Sequence, residues 1–346
     1  MTPASRAAGI LLPIVSLGAG LAVLAIFFAI SGYDPAAALG AMVRGAFGSW
    51  YAFTSGTLLR AIPLMLIALG FTVGLRAGVL NIGGEGQFYV GAIAATWIGL
   101  KLGGWPGMAA IPVMLATAFA AGALWVTVPA WLRLRFGVLE VISTLLLNFV
   151  AEVLVSLMVQ GPLQESQHIY PQSDQLSATV RLPVFPGTRL HLGIFLALSC
   201  CVLAWYVFRR TMVGFELRAV GRGPRAARVT GGLRVQRLGA IALLVSGALA
   251  GLAGGVEVGG VSYALYPNLS PGYGFTAIAV ALLARQSPLG IVASAILFGA
   301  LEAGAGAMQR DAGVPPVAVY VAEAITILAV LLADALSLRR RDVVIA

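Results

Sequence analysis

The sequence predicts an all-α integral membrane protein of about ten transmembrane helices, and three observations predict it. Hydrophobic residues make up 60% of the 346-residue chain and charged residues only 10%, against about 25% charged in a typical soluble domain. Apolar runs of about 20 residues, the length that crosses a bilayer as a helix, recur along the chain. The arginines gather in the gaps between those runs.

The expected spans are 9–30, 58–77, 86–103, 107–131, 138–159, 191–208, 238–260, 273–284, 288–305 and 316–337. The first follows a short segment carrying Arg6. It is too long for a signal-peptide core and reads as a retained span. The connector 32–57 opens on Tyr33-Asp34-Pro35 and ends near Trp50 and Tyr51. Trp and Tyr favour the headgroup level, so an interfacial helix is expected there on the outer surface. The second and third spans are separated by the glycine-rich segment 81–87. A turn at 132–137 holds Arg133 and Arg135. The loop 160–190 has mixed charge (Glu165, Asp174, Arg181, Arg189), with His168 in it and His191 at its edge. The segment 209–237 holds eight arginines and a single acid, Glu216. The eighth span is short, and the tail carries Arg339, Arg340 and Arg341.

Ten spans place both termini, the turn 132–137 and the segment 209–237 on one face. The arginine bias makes that face cytoplasmic. The net charge of +9 is therefore a topology signal rather than a nucleic-acid surface. Cys200 and Cys201 are adjacent in an apolar run, where neighbours point apart, and no Cys/His spacing suits a metal. The only lysine, Lys101, is in no phosphate-binding GxxxxGK[ST] loop. The chain is thus expected to bind no ATP or other cofactor itself. No histidine lies deep in a span, against histidine-based intramembrane hydrolysis.

Three features carry candidate chemistry. In Asn81-Ile82-Gly83-Gly84-Glu85-Gly86-Gln87, three glycines let the backbone leave helical geometry. Such backbone survives at membrane depth only where protein or water satisfies it. Asn81, Glu85 and Gln87 then offer polar groups to a permeating solute; a tight turn at the inner end of a hairpin uses the same residues. A second interruption, Pro267-Asn268-Leu269-Ser270-Pro271-Gly272-Tyr273-Gly274, makes paired breaks in two halves, a pointer to a transport pathway. Next, Gly223 to Gly232 reads as a short helix, with Pro224 at its first position and glycine past its end. Arg225 and Arg228 share a face, and Ala226 and Val229 offer a small apolar one. That helix suits docking into a partner, and a solvated topology signal is the alternative. Last, Glu140, Glu152, Glu257, Glu302, Glu323 and Asp334 lie in or near spans, where carboxylates are costly. Packing hydrogen bonds compete with function for each, as for Asn148 on the fifth span.

Three segments resemble the membrane permeases of ABC importers in the branched-chain amino acid/ribose/nucleoside group, nearest to the nucleoside and simple-sugar branch. They are Leu75–Gln87, Leu217–Ala227, and Gly272–Leu283 continuing to Pro288-Leu289-Gly290. The resemblance covers most of the chain and implies a single permease domain, 1–346, in the inner membrane of a prokaryote. It implies partners: separate ATP-binding subunits that use ATP, a second permease subunit making a heterodimer, and an extracytoplasmic solute-binding protein. It also implies a pathway at Asn81, Glu85, Gln87, Asn148, Tyr273 and Phe275. Coupling to the ATPase would fall to Arg218, Gly221, Pro224, Arg225, Ala226, Ala227, Arg228 and Gly231 within 209–237. The family commonly has Asn before the loop proline, where this chain has Gly223. The competing expectation is an ion-coupled secondary transporter that relays protons through Glu152, Glu302 or Glu323.

Overall fold

The structure is a computed structural model that describes residues 22–315 and, beyond them, 320, 321, 324, 325 and 328. Six helices among the described residues are long and apolar enough to cross a membrane. They are Ala52–Arg76, Gly107–Phe136, Glu140–Val159, Gly193–Arg210, Val235–Ser262 and Pro288–Ala312. Two further expected spans are present as an 18-residue helix, Gly84–Lys101, and a short apolar one, Tyr273–Leu283. Residues 22–30 are helical. The rest of the first expected span, nearly all of the tenth, and Glu323 and Asp334 with it lie outside the described residues. No strand occurs among the described residues; Val184 and His191 form an isolated bridge.

The chain forms two compact units, Met1–Arg60 with Ile296–Ala346, and Ala61–Ala295. In the first, α1 (Pro35–Phe47) starts where the connector's composition says it should. Pro35 occupies the first turn, and Asp34 Oδ1 accepts from the Ala36 and Ala37 amides at 2.8 and 3.3 Å. A π-helical stretch, Ala52–Leu58, then runs straight into α2 (Leu59–Arg76). Trp50 and Tyr51 thus stand at the head of a span that begins earlier than expected, rather than in the connector. Thr57 donates to the Ala46 carbonyl at 2.8 Å. Arg60 pairs with Glu302 at 3.7 Å, which accounts for one of the intramembrane carboxylates.

The second unit is built on α3 (Gly84–Lys101), α4 (Gly107–Trp125) and α10 (Val235–Glu257), which pack extensively on one another. Lipid gives helices no hydrophobic reason to associate, so close approach of backbones must hold them. A Cβ placed on Gly91 would stand 2.1 Å from the Gly251 carbonyl oxygen, and one on Gly254 2.0 Å from that of Phe88. These positions require glycine. The small-residue spacing of α10 (Gly247, Gly251, Gly254, Gly255) is the sequence signature of that seam.

Beyond α4 the helix continues as α5 (Thr127–Phe136), ending on Gly137 with φ 69°. Arg133 and Arg135 therefore occupy a helix's last turn, where the dipole favours cations, and not a separate turn at 132–137. Helix α6 (Glu140–Val159) follows. The loop 160–190 is ordered against the π-helical end of α10. The amides of Ser173, Leu176 and Leu182 donate to Leu265, Tyr263 and Gly259 carbonyls, each at 2.8 Å. Then come α7 (Gly193–Arg210), α8 (Met212–Arg222), α9 (Pro224–Gly231), α11 (Tyr273–Leu283) and α12 (Pro288–Ala312).

Candidate functional site

Helix α2 ends at Arg76, and Gly78 (φ 74°) turns the chain. The Val79 amide returns to the Gly74 carbonyl at 3.0 Å, which satisfies part of the helix end. Residues 80–82 then run without helical bonding until α3 begins at Gly84. Their polar groups are met by side chains. Thr144 Oγ1 accepts from the Ile82 amide at 3.3 Å, and Asn148 Nδ2 donates to the Ile82 carbonyl at 3.0 Å. Asn148 Oδ1 also accepts from the Gly86 amide at 2.8 Å. Glu140 accepts from the Leu80 amide at 3.3 Å while pairing with Arg133 at 3.4 Å. Asn81 and Gln87 exchange amide bonds at 2.8 and 2.9 Å, and Asn81 donates to Ser246 Oγ at 2.8 Å.

Ser246 fixes the level of this break. It lies about 16 Å along Val235–Ser262, a segment about 42 Å long at 1.5 Å per residue. The break therefore lies well inside a helix long enough to span a membrane, away from either of its ends.

The second break meets the first. Ser270 Oγ accepts from the Gly272 and Tyr273 amides at 3.1 and 3.0 Å and starts α11, with Gly272 at φ 99°. Glu85 Oε2 accepts from the Gly274 amide at 2.6 Å, across 189 residues of sequence. A carboxyl oxygen at a helix N-terminus complements the dipole and meets an amide that has no partner within the helix. Contact here is backbone to backbone, since a Cβ on Gly274 would stand 2.2 Å from the Glu85 nitrogen. The Phe88 and Tyr273 rings pack edge to face at 6.0 Å.

The structure thus gathers Asn81, Glu85, Gln87, Asn148 and Tyr273 into one buried junction, and leaves Phe275 46% exposed at its rim. The polar groups are spent on one another and on backbone. Glu140, expected as an acid in or near a span, and Ser270, within the second interruption, belong to the same junction, as do Ser246 and Thr144, which were not singled out from sequence. Only the position of Ser246, a lone hydroxyl in a run of small apolar residues, could have marked it.

The arginine-rich segment folds as two helices. Thr211 caps α8, whose Leu217 and Val220 are buried. Arg218 donates to the Phe208 carbonyl. Gly221 lies on the end of α2, where a Cβ would stand 2.2 Å from the Arg76 carbonyl oxygen. Helix α9 begins at Pro224 and ends on Gly232 with φ 60°. Ala227 is buried and holds it to its own chain, while Arg225, Ala226 and Arg228 are exposed and Val229 is 86% exposed. Of the other carboxylates, Glu152 is exposed on α6 and Glu257 is buried.

Residues 53–331 match the family model described as "Branched-chain amino acid transport system / permease component". The guanosine ABC transporter permease protein NupP of Bacillus subtilis is 37% identical over 328 residues, 93% of either chain. The glucose ABC transporter permease protein TsgB13 of Haloferax volcanii is 35% identical, covering 91% of this chain and 85% of its own. The nucleoside ABC transporter permease protein NupB of Lactococcus lactis is 32% identical, covering 91% and 88%. No solved structure matches the chain.

Proposed function

The chain belongs to the family of branched-chain amino acid transport system permease components and is an ABC transporter permease subunit spanning a membrane; from that premise we propose that its junction of broken helices lines the path of a nucleoside or related simple sugar. The relatives named for guanosine, nucleosides and glucose support that solute class. The observation that carries the pathway assignment is the Glu85–Gly274 bond, which joins two helix starts at a break well inside a helix long enough to span a membrane. A permeating solute needs a place where helix ends and backbone polar groups face an aqueous gap, and paired broken helices supply it. Phe275 and the rim of α11 are the parts that meet the solute; Asn81, Gln87 and Asn148 hold the break in shape.

In this reading the chain crosses a prokaryotic inner membrane ten times, with both termini and α8–α9 in the cytoplasm. It works with a second, different permease subunit, ATP-binding subunits and an extracytoplasmic binding protein. ATP-driven closure of the ATPase pushes on α8 and α9, through Arg218, Gly221, Pro224, Arg225, Ala226, Ala227, Arg228 and Gly231. An ion-coupled carrier finds no support among the relatives. The test is uptake by vesicles holding the reconstituted complex, with labelled guanosine and glucose as competing solutes. Uptake that requires ATP hydrolysis and is displaced by one class supports the reading. Uptake by this chain alone under an ion gradient would sink it.

A further inference from the structure

Helix α11 is held at both ends by side chains from the same short stretch of chain. Glu85 holds its N-terminus. At its other end the chain turns through Arg285 and Gln286, both with positive φ (49° and 58°), and Arg76 Nη2 donates to the Gln286 carbonyl at 2.7 Å. A cation at a helix C-terminus complements the dipole as the carboxylate does at the start. The guanidinium carbon of Arg76 also lies 4.1 Å from the centre of the Phe208 ring, in cation–π contact with α7. The Phe208 carbonyl is the one that accepts from Arg218 of α8, and Gly221 of α8 rests on the Arg76 backbone. Arg76 therefore touches, directly or through one residue, the segment assigned to ATPase coupling and the loop that ends α11.

We propose that Arg76 is the positioning residue through which movement of α8 reaches α11, the broken helix of the pathway. The inference rests on the coupling role assigned above to α8. A planar guanidinium suits the task, because its face stacks on Phe208 while its edge donates to Gln286; a lysine ammonium cannot do both. The buried Nε of Arg76 has no hydrogen-bond partner in this arrangement.

The experiment compares wild type with Arg76→Gln, Arg76→Lys and Phe208→Leu, each in the reconstituted complex with its binding protein. It reads solute transported per ATP hydrolysed, together with assembly on gel filtration. Both Arg76 variants and Phe208→Leu should assemble and hydrolyse ATP, with transport per ATP reduced roughly tenfold for Arg76→Gln, within the range of coupling free energies. Arg76→Lys should fall between Arg76→Gln and wild type. If the variants that assemble keep the wild-type ratio, the proposal is wrong; should Arg76→Gln not assemble, Phe208→Leu decides on the same criterion. Failure of the underlying reading is distinguishable, because wild type itself would then show no ATP-dependent transport.

Discussion

At the residue scale, the junction is a set of buried polar groups whose partners are named, so each removal has a defined cost. Asn148→Ala would strip partners from the Gly86 amide and the Ile82 carbonyl. Each buried group left unsatisfied costs about 1–3 kcal/mol, so the thermal midpoint of the purified protein should fall clearly below wild type. Glu85→Ala removes the clamp on the α11 N-terminus and should reduce uptake more than Glu257→Ala; equal uptake by the two variants would count against a central place for Glu85. In the loop 160–190, Glu165 accepts from Gln172 and the Tyr170 amide, and Asp174 from the Ser166 hydroxyl and amide. Those bonds favour the ionised forms and hold both carboxyls below the usual range. A lowered folded pKa gives stabilisation that is complete above the unfolded value and is lost as pH falls through the folded one. The protection factors of the Ser166 and Tyr170 amides, their exchange rates referred to the intrinsic rate at each pH, should therefore hold at neutral pH and fall only below about pH 4.

At the scale of elements, the breaks and the capped helix were legible in sequence, because glycine, proline and their spacing act locally. What those elements touch was not. Glu85 and Gly274 are 189 residues apart, and nothing local in either segment names the other. Helix α9 shows the same division. Its start at Pro224 and stop at Gly232 could be read, but not which alanine faces its own chain. Ala227 is buried, so a bulky acid there would disturb α9 itself, whereas Val229 touches little and is the cleaner probe of docking. Val229→Asp should leave insertion intact and weaken co-purification of the ATP-binding subunit. Unchanged co-purification would remove the outward face of α9 from the coupling surface. The seam gives a matched pair: Gly254→Ala places a methyl 2.0 Å from a backbone oxygen, while a Cβ on Gly104 meets nothing within 4 Å. The first should lower the yield of monodisperse protein and the second should not.

At the scale of the whole molecule, the question is what energy drives the path. A proton-driven carrier needs a carboxylate that exchanges protons with both sides. Several acids in or next to the spanning helices are already engaged: Glu302 with Arg60, Glu140 with Arg133 and the Leu80 amide, Glu85 with α11. Taking one partner from such a pair leaves an uncompensated charge in low dielectric, a cost that a relay would meet on every cycle. Glu152 differs, being exposed on α6 one turn beyond Asn148. It is therefore the carboxylate on which the relay alternative is best tested. Glu152→Gln removes its titration while keeping its size and polarity. If ATP hydrolysis is the only drive, vesicles carrying this variant should still require ATP and still accumulate solute in the presence of a proton uncoupler, as wild type does. A change in affinity for solute would be compatible with a wall of the path. Uptake that an uncoupler abolishes in wild type but leaves untouched in Glu152→Gln would instead make that carboxylate a proton carrier and the chain a different kind of machine.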